Sequence, residues 1–147
     1  MFRSTVFALL VLLLTSCNVQ VANQAELDTF NTNYEAVRIV YNTLNSKMVG
    51  FEDGSFDDPA FRDEIVRLSQ EWRKASNDLR YMPQPAGAKW NAAWPMIVDA
   101  MGEYVFVASI LEAAARDNNR LILLQSYGHL DNGRDLLTEA LRLLEGE

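Results

Sequence analysis

Apolar residues recur along most of this chain at steps of three and four, the repeat of one helix face rather than the alternation of a half-buried strand. Leu27, Phe30, Tyr34, Val37, Tyr41, Leu44 and Met48 form one such stripe and predict a helix over 25–49, ended by Gly50. Phe61, Ile65, Leu68, Trp72, Ala75 and Leu79 form a second. Its helix starts at Pro59, where a missing N–H costs nothing, with Asp58 as N-cap, and runs to about Arg80. The turn Pro83-Gln84-Pro85 separates it from a third helix over 86–117, striped by Trp90, Trp94, Ile97, Met101, Tyr104, Ala108 and Leu111. Pro95 either kinks that helix or marks its true first turn. Val105, Phe106 and Val107 widen its apolar face, so it is expected to be the most buried of the four. After Asp117-Asn118-Asn119 a fourth helix is predicted to about Leu144, lined by Leu123, Tyr127, Leu130, Leu137, Leu141 and Leu144. Gly128 and Gly133 weaken it or admit a close helix contact.

No segment alternates like a strand, and no repeat period is evident. The prediction is an all-α chain. Four helices with short connections imply an antiparallel, up-down-up-down four-helix bundle over 25–147. A chain of 147 residues is the length of one domain.

Composition narrows the function. With 13 basic and 20 acidic residues the formal charge is −7. Such a chain repels phosphate, and its basic residues between Arg62 and Arg80 alternate with Asp63, Glu64, Glu71 and Asp78, as on a solvated helix face. No nucleic-acid partner is expected. A single cysteine rules out a disulfide scaffold. The longest apolar run, residues 6–14, is about half of what a spanning helix needs.

That run lies in a stretch with the layout of a secretory signal. Arg3 supplies the positive end, and Leu14-Thr15-Ser16-Cys17 follows the apolar run. Leu-Thr-Ser-Cys resembles the lipobox of bacterial lipoproteins. The resemblance implies removal of residues 1–16 and a diacylglycerol on the Cys17 thiol, with a further acyl chain such as palmitate often added at its amine. An exported chain gains nothing from one unpaired thiol, whereas a lipid anchor needs one. Residues 17–24 would then be the lipidated cysteine and a tether of at most ~25 Å, holding the domain close to the bilayer. Location follows as an expectation: the cell envelope, on the extracytoplasmic (in a two-membrane host, periplasmic-facing) side of a bacterial membrane. Asn18 is not the Asp that resembles an inner-membrane retention signal, which favours the outer membrane if the host has one. From Pro83 onward the chain also resembles small bacterial lipoproteins of unknown function, a likeness that implies a fold and no activity.

Chemistry is sparse. His129 is the only histidine and lacks the glutamate three residues earlier that a di-iron bundle requires. The topology resembles soluble b-type cytochrome bundles, but Met48 at the end of helix one and His129, about midway along helix four, would lie some 15 Å apart along the axis. His129 is read as a surface or half-buried residue, and no cofactor is expected. No Gly-x-Ser-x-Gly elbow occurs and no catalytic residue is assigned, so the chain reads as a non-enzyme. Asp53, Ser55, Asp57 and Glu64 fit positions 1, 3, 5 and 12 of a calcium loop, but position 6 is Asp58 where glycine is needed. The preferred interpretation is an acidic helix start, and no metal is assigned. The aromatic load is the remaining feature. Trp72, Trp90, Trp94 and Tyr104 are the candidate ligand or partner contacts, with Trp90, beside the proline-rich turn, expected as an exposed anchor. The leading expectation is a tethered interaction module for an envelope partner; the alternative is a carrier or sensor of a small apolar ligand.

Overall fold

The computed structural model describes residues 21–48 and 54–146. They form four α-helices and two short 3-10 turns: α1 Gln24–Met48, a 3-10 turn Ser55–Asp57, α2 Pro59–Arg80, α3 Ala88–Asp117, a 3-10 turn Arg120–Gln125, and α4 Ser126–Glu145. There is no strand among the described residues. The fold is an all-α four-helix bundle.

Local chemistry sets the helix ends. At the start of α1, Asn23 Oδ1 accepts from the Glu26 amide and Glu26 Oε2 accepts from the Asn23 amide, a reciprocal capping box. Asp58 caps α2, its carboxylate accepting from Ala60 N at 2.9 Å, and Pro59 is the first helical residue. Asn118 closes α3 in the left-handed region (φ 48°), a conformation asparagine tolerates better than most residues. Pro95 lies inside α3, seven residues past its start, so it does not mark the first turn. Its ring is on the exposed side, where water can satisfy the carbonyl that proline leaves without a donor.

The helices are unequal in burial. α3 is the central element, with Ile97, Ala100, Met101, Tyr104, Val107 and Ala108 all buried. α2 faces it with Ile65, Leu68, Trp72 and Leu79. α1 contributes Phe30, Val37 and Leu44, seven residues apart, flanked by half-buried Leu27, Tyr34, Tyr41 and Met48. α4 lies at the periphery. Only Ser126, Gly133 and Ala140 of α4 are buried, while Leu130, Leu137, Leu141 and Leu144 are half-buried against the core.

Contacts between consecutive helices run in opposite sequence order. Lys47 pairs with Glu64 at 2.8 Å, Tyr41 packs on Trp72, and Asn33 meets Met82. Between α3 and α4, Lys89 reaches the Leu144 carbonyl, Glu103 bonds Asn132, and Phe106 touches His129. Backbones approach closely between α1 and α2, α2 and α3, and α3 and α4. α1 and α4 meet less closely, and a cleft separates them.

Several sequence expectations change. The stretch Arg120–Gln125 is a 3-10 turn, not the first part of α4. His129 is therefore the fourth residue of α4 rather than midway along it. Met48 and Leu130, the residue after His129, both line one narrow cavity. Tyr127, expected in the core, is 48% exposed, and Phe106 is 49% exposed against His129, so it does not widen the buried face of α3. Phe56, in a segment expected as an acidic loop, is fully buried at the end of the bundle. Arg120 stacks over its ring and pairs with Asp57 at 3.1 Å, joining the two 3-10 turns.

Candidate functional site

The four aromatic candidates are all core residues. Trp90 is 9% exposed rather than an exposed anchor, because Phe30 of α1 packs edge-on against it at 4.8 Å and Trp94 at 6.3 Å. Trp72 and Tyr104 pack at 5.0 Å, their rings tilted, in a second cluster with Tyr41. The Trp72 Nε1, Ser69 Oγ and Ser76 Oγ on α2 are buried without a hydrogen-bond partner. Cys17 and Asp53 lie outside the described residues. Of the remaining acidic-loop candidates, Asp57 pairs with Arg120 and Glu64 with Lys47, and Ser55 opens the first 3-10 turn. The two carboxylates thus have separate basic partners rather than converging, and no group of three or more potential metal ligands occurs among the described residues.

Of the four, Tyr104 lines the cleft between α1 and α4, and Trp72 lines a much smaller cavity beside it. Tyr104 floors this half-open cleft, which has a volume of about 280 Å³. α1 supplies Tyr34, Val37, Arg38 and Tyr41 to the cleft, and α4 supplies Arg134, Leu137 and Leu141. Periodicity places most of these on inward stripes; the cleft exists because α1 and α4 stay apart over the Tyr104 ring. Gly133 helps to form that floor. A Cβ there would fall 2.7 Å from Tyr104 Cε1, so only glycine lets the ring lie against α4. Burial pushes the Tyr104 phenol far above the usual tyrosine range, Tyr41 and Tyr34 add to the effect, and Arg134 opposes it. The phenol therefore keeps its proton at any ordinary pH.

Two further surface features stand out. Glu103 binds His129 Nδ1 at 2.6 Å and Asn132 Nδ2 at 2.7 Å, an exposed polar link between α3 and α4. At the bundle end formed by the start of α2 and the end of α3, Leu121 and Leu124 are 75% and 67% exposed. In a 3-10 turn residues three apart eclipse, so these two leucines stand in line, with Tyr127 a further three residues on. No helix among the described residues is long and apolar enough to cross a membrane. A scan of protein-family models finds no match to this chain, and neither do searches of curated proteins and of solved structures.

Proposed function

We propose that this protein is a lipid-anchored bundle of the bacterial cell envelope, with helices alternating in direction, that works by binding a protein partner rather than by catalysis. The lipobox-like Leu14-Thr15-Ser16-Cys17 supports the anchor, with the mature chain held to the bilayer through acylated Cys17. The observation that carries the interaction role is the exposure of Leu121, Leu124 and Tyr127, three apolar residues close together in the chain. They lie at the opposite end of the bundle from the start of α1. Glu26 approaches Ala86 in the α2–α3 connection, while Arg120 meets Asp57 at the start of α2, so the two ends are separated by about the length of α2. That is roughly 30 Å at ~1.5 Å per residue. A domain tethered by residues 17–23 would hold its apolar tip away from the membrane, where a partner can reach it.

The experiment is in two parts on the protein in its own membrane. Intact mass of the extracted protein is expected to show a chain beginning at acylated Cys17, with Cys17→Ala leaving the signal uncleaved and unlipidated. An unchanged mass in that variant would end the anchor proposal. A photo-crosslinking residue at Leu124 is expected to trap one discrete envelope protein, whereas the same residue at exposed Ile39 on α1 is not. Identical patterns at the two positions would end the tip proposal.

A further inference from the structure

The cleft between α1 and α4 has a chemistry that the tethering proposal does not use. In a chain of net charge −7, no carboxylate among the described residues lines it. Its charged side chains are two arginines, Arg38 and Arg134. Three phenols, Tyr34, Tyr41 and Tyr104, open onto the same space, and Val37, Leu137 and Leu141 supply apolar surface. Guanidinium groups have no acceptor, and phenols offer O–H groups. The cleft is therefore rich in donors and poor in anionic acceptors, above an aromatic and aliphatic floor.

The arginines are held, but not used up. Arg38 donates Nε and Nη2 to Glu35 at 2.8 and 2.7 Å, which leaves its Nη1 edge. Arg134 meets Asp131 at 3.1 Å and Asp135 at 3.8 Å, the second too long for a hydrogen bond. These pairs are solvent-exposed and intrahelical, so their net strength is small and an incoming oxyanion can compete for the guanidinium edges. Tyr104 brings rigidity, its ring fixed between Trp72, Tyr41 and the backbone of Gly133.

We propose that this cleft binds a small amphipathic anion, a carboxylate or similar oxyanion on a short aromatic or aliphatic body. The oxyanion takes donors from Arg134 and the phenols, and the body lies against Val37, Leu137 and Leu141. The proposal stands whether or not the chain is lipidated.

Calorimetric titration of the full chain with 4-phenylbutyrate and its neutral amide tests it. The acid is expected to bind saturably, one per chain, and about tenfold more tightly than the amide, the scale of one charge-assisted hydrogen bond. Arg134→Gln is expected to remove most of that preference, and Tyr104→Phe to weaken the acid several-fold. Arg142→Gln, on the same helix outside the cleft, is expected to leave binding unchanged. Helix content by circular dichroism separates loss of the site from loss of the fold, and Arg134, being exposed, changes the site without touching the core. No saturable binding in the millimolar range, equal binding of acid and amide, or full retention by Arg134→Gln would each overturn the proposal. Equal binding would identify instead an apolar cleft without anion selectivity.

Discussion

Two glycines of α4, five residues apart, are expected to respond in opposite ways to the same substitution. Gly128 has no heavy atom within 4 Å of where a Cβ would stand. Alanine there gains helix propensity, roughly 0.5 kcal/mol in a first turn against the full ~1 kcal/mol in a helix interior. At Gly133 the Cβ would lie 2.7 Å from Tyr104 Cε1, 2.9 Å from Cδ1 and 3.1 Å from the Cβ of Glu103. The ring cannot swing aside cheaply, since Trp72 packs at 5.0 Å and Tyr41 at 6.1 Å. Overpacking of this kind costs about 1–3 kcal/mol, and improved propensity offsets ~1 of it. Gly133→Ala should therefore destabilise by up to ~2 kcal/mol while Gly128→Ala stabilises. In thermal unfolding followed by circular dichroism, 1 kcal/mol moves the midpoint of a domain this size by roughly 3–6 °C. The double variant Gly133→Ala/Tyr104→Leu should recover part of the loss, because the colliding ring is gone. If Gly133→Ala raised the midpoint as Gly128→Ala does, the close approach of α4 to Tyr104 would be wrong, and the floor of the cleft with it.

Asp58→Ala should lower the urea-unfolding free energy by about 1 kcal/mol through loss of the α2 cap, whereas Asp57→Ala, which removes only an exposed ion pair, should change it by less than ~0.5; equal effects would refute the capping role. Glu112 accepts from Gln70 and Arg116 and pairs with Arg73 at 2.9 Å, and these bonds hold its carboxyl below the ordinary value of 4.5. Because the folded state lowers this pKa, its contribution is complete above the unfolded value and is lost as pH falls through the folded one. Glu112→Gln should accordingly flatten the acid limb of a stability-versus-pH curve measured with urea; a curve parallel to wild type would refute it.

The helix boundaries were legible wherever a cap or breaker stands beside the stripe. Asp58-Pro59, Arg80 before the proline-rich turn, and Asp117 before two asparagines mark ends that the structure keeps. Asn23 and Glu26, three apart, carried a capping-box signal that would have started α1 at Gln24. Arg120–Gln125 was not legible as a 3-10 turn, since over six residues a period of 3.0 cannot be told from 3.6. Phe56 was hidden by its acidic neighbours, although a lone aromatic in a short connection often plugs a bundle end. The cleft was least legible of all. The stripes place Tyr34, Tyr41, Leu137 and Leu141 toward the interior, but nothing in their spacing says that α1 and α4 leave a gap. Arg38 and Arg134 are off-stripe charges, distinguishable from any solvated arginine only once that gap is known.

The unequal seams of the bundle also bear on how it carries load. α2, α3 and α4 share the extensive faces, while α1 leans mainly on α2 and has the cleft on its other flank. A pull on the amino-terminal side enters the fold at the Asn23 cap and reaches α1 before any other helix. Phe30, Val37 and Leu44 are then the contacts under tension, and their release would leave the more extensive α2–α3 and α3–α4 faces in place. Mechanically, the domain is a three-helix body with a fourth helix latched along one side, and its weakest seam is the one nearest the pull.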